Sequence, residues 1–256
     1  MTVSLLTRQQ LEIINRKTLR YPLQVAEKDY FLALVMQIIS ASSRGKALVF
    51  KGGTAINHCY LDQYRFSEDL GFSSSGTNLS LEDVQSIFAE VPFLTIKKDR
   101  LSEATIKIEK LQYTGPLVQP NSLKVEIDIL QNVLLPPKLT KYNNVWGLDF
   151  KVRVMDEKEV CAEKIRAMSD RARYRDFYDF FWLMKEYRLD MNEIVSYVAR
   201  KEIRKVITKA NILRNWEIVG TQRAEEMGKI FYSRKIEAGQ IKNMIDELPF
   251  TGITSK

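Results

Sequence analysis

Three groups of residues carry chemistry that an ordinary globular chain does not need. The first is Phe50-Lys51-Gly52-Gly53-Thr54. A short apolar strand, Ala47 to Phe50, runs into two glycines and then into a helical stretch. Glycines let backbone N–H groups approach a ligand closely, and the start of a helix favours anions. Such a turn can cradle a triphosphate, although Gly-Gly between a strand and a helix is also an ordinary tight turn. The second group is Arg65-Phe66-Ser67-Glu68-Asp69-Leu70-Gly71-Phe72. If Asp69 opens a strand, positions 69 and 71 share a face. Two aspartates at that spacing would hold two divalent ions for in-line phosphoryl transfer. Asp69 is present, but position 71 is glycine. A further acid would have to come from a neighbouring strand, where Glu126 and Asp128 are the same-face candidates. Both are also what a solvent-facing strand carries.

The third group is basic. Lys164, Arg166, Arg171, Arg173 and Arg175 crowd one window in which Asp170 is the only acid. Arg200, Lys201, Arg204, Lys205, Lys209 and Arg214 form a second cluster around Glu202. A charge run is usually a solvated helix face. Two of them in one half of a chain of net charge +7 point toward a polyanionic partner.

Much chemistry is excluded. His58 is the only histidine, so a Ser-His-Asp triad or a histidine metal site has no residues to use. Cys59 and Cys161 are far apart and belong to no paired-cysteine motif, against both a disulfide scaffold and structural zinc. Carboxylates, lysines, hydroxyls and backbone amides remain. No apolar run approaches the roughly 18–20 residues that span a bilayer. The N-terminus does not read as a basic-then-apolar leader. The expectation is a cytoplasmic protein with no membrane partner.

The elements that must position these residues follow from periodicity. Residues 5–17 and 23–40 read as helices, the second with Val25, Tyr30, Phe31, Leu34, Val35, Ile38 and Ile39 at helical spacing. Residues 54–62 read as a helix, Asp69 to Ser73 as a strand, and Ser73 to Thr77 as a polar loop. Ser80 and Asp83 predict a capping box at the head of a helix over 80–90. Strands follow at 93–98, 104–112 and 122–130. In the last, Leu123, Val125, Ile127 and Ile129 alternate with Lys124, Glu126 and Asp128. Residues 138–154 read as a connection with strand character at Phe150 to Val154. Beyond Asp156 the pattern is helical almost to the end. The fold class is therefore α+β: a small mixed sheet in residues 1–154, followed by an α-helical domain over 155–256.

Several stretches together resemble a known family. Lys51-Gly52-Gly53-Thr54-Ala55 followed by Arg65-Phe66-Ser67-Glu68-Asp69-Leu70 is similar to the AbiEii/AbiGii toxin-type nucleotidyltransferases. So are Glu27-Lys28-Asp29-Tyr30 upstream, and Ala162-Glu163-Lys164-Ile165-Arg166-Ala167 and Arg175-Asp176-Phe177-Tyr178-Asp179-Phe180 downstream. The resemblance implies a nucleotidyltransferase-fold core with a helical C-terminal domain. It implies Mg²⁺- or Mn²⁺-dependent transfer of a nucleotide from an NTP to RNA, tRNA in several members. It also implies a toxin of a toxin–antitoxin or phage-defence system, with a cognate antitoxin as partner. By position, Gly53, Ser67 and Asp69 would form the nucleotide and metal corner, with Lys51, Gly52, Thr54 and Arg65 beside the triphosphate. Glu126 and Asp128 would complete the metal ligands, and Asp128 would activate the acceptor hydroxyl. Lys164 would bind phosphate or assist transfer, and Asp176 would join the active site from the C-terminal helices.

The pattern expects an aspartate where Gly71 stands, and glycine ligates no metal. Three accounts remain open: a variant that works with Asp69 and a strand acid, a weakened protein that still binds nucleotide or RNA, and a substitution that silences a toxic enzyme. The alternative function is accordingly a catalytically inactive module that binds RNA or protein.

Overall fold

The alternation of Leu123, Val125 and Ile127 with charged residues becomes an inner strand of a seven-stranded sheet. The structure, a computed structural model, describes residues 4–74, 79–201 and 205–254, apart from the side chains of 221–229. They fall into two compact units. The first comprises Met1–Cys59, Ser67–Gln131 and Lys138–Val154; the second comprises Tyr60–Phe66, Asn132–Pro137 and Met155–Lys256.

In the first unit, helices α1 (Arg8–Lys17) and α2 (Leu23–Ala41) precede strand β1 (Leu48–Lys51) and the short helix α3 (Gly52–Ala55). Strand β2 (Asp69–Ser74), helix α4 (Leu81–Ser86) and strands β3 (Leu94–Leu101), β4 (Thr105–Thr114), β5 (Pro120–Asp128), β6 (Lys138–Lys141) and β7 (Lys151–Val154) follow. The sheet order is β3-β4-β5-β2-β1-β7-β6. It is mixed: β2 runs parallel to β5 and antiparallel to β1, and β1 runs parallel to β7.

Helix α2 begins after Pro22 and is apolar around most of its circumference, as a helix buried on all sides must be. Ala26, Phe31, Leu32, Leu34, Val35 and Ile39 are all buried, and the helix packs against β5 and β7. Met36 and Ile39 share a cavity wall with Phe72, on the face of β2 opposite Gly71. The Ser80–Asp83 capping box forms as the sequence predicts.

Two expectations need correction. The helix over 54–62 is α-helical only to Ala55 and continues as a wider π turn through Tyr60. The connection at 138–154 contains β6 as well as β7. β6 is an edge strand exposed at Lys138 and Leu139, so no alternation marks it.

The second unit holds α5 (Glu157–Asp170), α6 (Tyr174–Tyr187), α7 (Met191–Arg200), strand β8 (Ile207–Thr208), α8 (Lys209–Lys229), α9 (Ala238–Asp246) and strand β9 (Gly252–Ile253). Helix α5 is central and packs against α6, α7 and α8. Phe177, Phe180, Phe181 and Met184 form the buried apolar side of α6, with the Phe177 and Trp216 ring centroids 5.1 Å apart. The all-helical reading is interrupted by the β8–β9 ladder. Among the described residues no helix is long and apolar enough to cross a membrane. The polar loop expected at Ser73 to Thr77 falls largely outside the described residues, as do Glu202 and Arg204.

Candidate active site

Thr54 organises the glycine corner. Its buried hydroxyl lies 2.9 Å from the Ser67 hydroxyl and donates to the Asp69 carbonyl at 2.5 Å. Gly52, just before it, has φ +83° with open space where a side chain would be. That backbone conformation suits glycine, and it leaves the turn bare for a ligand. The corner is also held from outside. Lys28 donates to Glu68 at 2.5 Å, next to Ser67 and Asp69.

The other residues of Glu27-Lys28-Asp29-Tyr30 hold the scaffold. Glu27 accepts from the Leu117 N–H, Asp29 accepts from the Trp146 indole at 2.8 Å, and the Tyr30 hydroxyl accepts from the Leu6 N–H. His58 is fully buried, stacked on Tyr142 and hydrogen-bonded through Nδ1 to the Asn143 carbonyl. Burial lowers its pKa, against opposing pulls from Asp29 and that carbonyl. It belongs to the scaffold.

The strand register sets which acids can cooperate. Asp69 is exposed and opens β2. On β5, Lys124 lies beside Asp69, Glu126 beside Gly71, and Asp128 beside Ser73. Asp69 and Ser73 are four residues apart along the strand, about 13 Å at the usual rise. Asp69 and Asp128 therefore cannot share one ion, and Glu126 is the nearer partner. Glu126 is already held by Lys124 at 3.1 Å and Lys107 at 3.2 Å. Burial alone would raise its pKa, but the two lysines outweigh burial and leave it lowered. Asp128 accepts from the Leu130 and Gln131 N–H groups through Oδ1, and its Oδ2 is 3.5 Å from Lys51 Nζ.

The expected pair of Mg²⁺ or Mn²⁺ ions does not fit this donor set. Position 71 offers no ligand, Glu126 and Asp128 are both turned toward lysines, and no cluster of three metal-binding side chains occurs among the described residues.

In the helical unit the charges expected at a surface are buried. Lys164 of α5 is 7% exposed, and its ammonium lies 2.8 Å from Asp176 and 2.6 Å from Asp179 of α6. Asp179 also binds Arg65 in a bidentate pair, at 2.6 and 2.8 Å, and accepts from the Tyr64 hydroxyl. Arg65 is 1% exposed. Its guanidinium, expected beside a triphosphate, is committed to Asp179 instead.

Asp176 is further bound by Arg171 at 2.8 Å, and Arg171 is the exposed member of the network. Burial would push both carboxyls up. For Asp176, Lys164 and Arg171 more than reverse it, and for Asp179, Arg65 and Lys164 do. Both end below the ordinary carboxylate value, Asp176 well below it. Lys201, placed by sequence in a basic cluster, is likewise buried, 2.5 Å from Glu159 and 3.1 Å from Glu163. Helical spacing puts Asp176 and Asp179 on one face. Nothing in sequence marks Arg65 or Tyr64 as their partners.

The sheet and its glycine corner are those of a nucleotidyltransferase. Within that class the chain belongs to the AbiEii family: the family model described as "Nucleotidyl transferase AbiEii toxin, Type IV TA system" matches residues 34–253. No curated relative matches it. Among solved structures it is similar to MenT4, a nucleotidyltransferase toxin of Mycobacterium tuberculosis H37Rv, at 20% identity and TM-score 0.59, over 83% of this chain and 72% of that one. It is also similar to JHP933 of Helicobacter pylori, at 16% identity and TM-score 0.56, over 88% and 91%. At these identities the likeness is one of fold. The chain is thus a nucleotidyltransferase of a toxin family.

Proposed function

We propose that the chain transfers a nucleotide from an NTP to an RNA acceptor, tRNA first among the candidates, as the toxin of a toxin–antitoxin or defence system in the cytoplasm. The observation that carries this reading is the Thr54 hydroxyl, which fixes Ser67 and the start of β2 so that Asp69 is presented beside the bare Gly52-Gly53 turn. In this reading the turn and Ser67 bind the triphosphate, and the exposed Asp69 carboxylate orients the reacting end. Asp128 faces Lys51 with one carboxylate oxygen and accepts two backbone N–H groups on the other. Asp176, bound by Lys164, also holds Arg171, an exposed cation of the helical unit. Arg171, Arg173, Arg200, Lys205 and Arg214 are exposed and suit an RNA backbone.

Incubation with each labelled NTP and total tRNA tests the proposal. Label should move to RNA with the parent protein and not with Asp69→Ala. Absence of transfer from a protein that binds NTP normally would count against it. Gly71 favours a second reading, binding of RNA without turnover. In that case salt-sensitive RNA binding is the whole activity, and Asp69→Ala leaves it unchanged.

A further inference from the structure

We infer that the Lys51 ammonium stands in for one of the two divalent cations of a nucleotidyl-transfer site and holds the triphosphate directly, without metal. The inference rests on the reading of the chain as an NTP-using enzyme.

Cross-strand register is the first support. Lys51 lies opposite Gly71 on one side of β2, and Glu126 lies opposite it on the other. Residues paired across strands share a face, so an ammonium starting from β1 and a carboxylate starting from β5 can meet only above β2. Lys51 Nζ and Asp128 Oδ2 do so at 3.5 Å. The ammonium thus reaches diagonally over β2, from the level of Gly71 toward that of Ser73, on the face where Gly71 offers no ligand.

Charge is the second. This face carries Lys51, Lys107, Lys124 and Arg100 beside Asp69, Glu126 and Asp128, so its carboxylates already have cations next to them. A polyphosphate arriving there meets those cations. The third support is position. Lys51 immediately precedes Gly52, so the cation and the open turn are one element, and a phosphate group at the turn is within reach of its side chain.

The test is isothermal titration of ATP, CTP, GTP and UTP in turn, with EDTA and with Mg²⁺, on the full chain. Binding of at least one NTP should persist in EDTA. Lys51→Met should weaken it by about tenfold or more, the usual range for a hydrogen bond to a charged group, and Lys51→Arg should restore most of it. Asp128→Asn, which removes the carboxylate charge beside the ammonium, should tighten it. Gly71→Asp should weaken EDTA binding and make affinity depend on Mg²⁺. Cooperative thermal unfolding of each variant shows that it is folded. Binding that EDTA abolishes, Mg²⁺ restores and Lys51→Met leaves unchanged overturns the inference while sparing the reading beneath it. No NTP binding in either buffer overturns both.

Discussion

Arg65 and Asp179 are joined by two parallel hydrogen bonds, Nε to Oδ1 at 2.6 Å and Nη2 to Oδ2 at 2.8 Å, across 114 residues of sequence. Both side chains are buried. Removing one partner of such a pair leaves a buried charge without compensation, at a cost of about 3–5 kcal/mol. Arg65→Met and Asp179→Asn should each lower stability by that order in urea unfolding, and the double variant by less than the sum. Arg65→Met with unchanged stability and weakened NTP binding would return Arg65 to the nucleotide.

Acid should weaken the two units in separate ranges. His58 is the only histidine, and its folded pKa lies below the ordinary 6.5. The unfolded chain therefore takes up its proton first, and stability falls as pH drops below about 6.5. Asp176 and Asp179 are depressed from 3.8. Their contribution is complete above that value and is lost as pH falls below it. Stability against pH should show a first decline in the first range, absent in His58→Phe, and a second, steeper one below about 4. A flat profile from pH 7 to 5 would refute the first.

Gly71→Asp should raise Mg²⁺ or Mn²⁺ affinity and NTP turnover. A Cβ at this position would lie 3.3 Å from the Lys51 carbonyl oxygen, so the strands must give by a few tenths of an ångström. The backbone needs no left-handed conformation there. Manganese titration followed by electron paramagnetic resonance reads the affinity, and label transfer reads the turnover. Unchanged values in both would show that position 71 is not a ligand position.

Thr54→Val removes a fully buried hydroxyl that serves both Ser67 and the Asp69 carbonyl. The expected loss is about 1–3 kcal/mol of stability, because the carbonyl is left without its donor. NTP binding should fall together with stability, whereas Thr54→Ser should retain most of both. Thermal unfolding and titration calorimetry on the same samples check this.

Local pattern carries far in this chain. The alternation in β5, the apolar α2, the Ser80 cap and the glycine corner are all visible because each depends on residues close in sequence. Register is not visible. Alternation says that Glu126 and Asp128 share a face, but only pairing shows that Glu126 adjoins Gly71 while Asp128 adjoins Ser73. Burial of charge is hidden too. Lys164 and Lys201 sit in basic runs that read as solvated helix faces, and Arg65 reads as a phosphate ligand, until their carboxylates arrive from other helices. The short ladder of β8 and β9, two residues each, is below the length at which alternation can be read.

The second unit takes Tyr60–Phe66 and Asn132–Pro137 from the earlier chain, which imposes an order on synthesis. As the chain leaves the ribosome, Arg65 is made 114 residues before Asp179. At about 5–20 residues per second that is about 6–23 seconds. Through that interval a guanidinium destined for burial has no counter-charge, and a nascent chain arrested anywhere short of α6 cannot bury it. The second unit thus cannot close around Arg65 until α6 has been made.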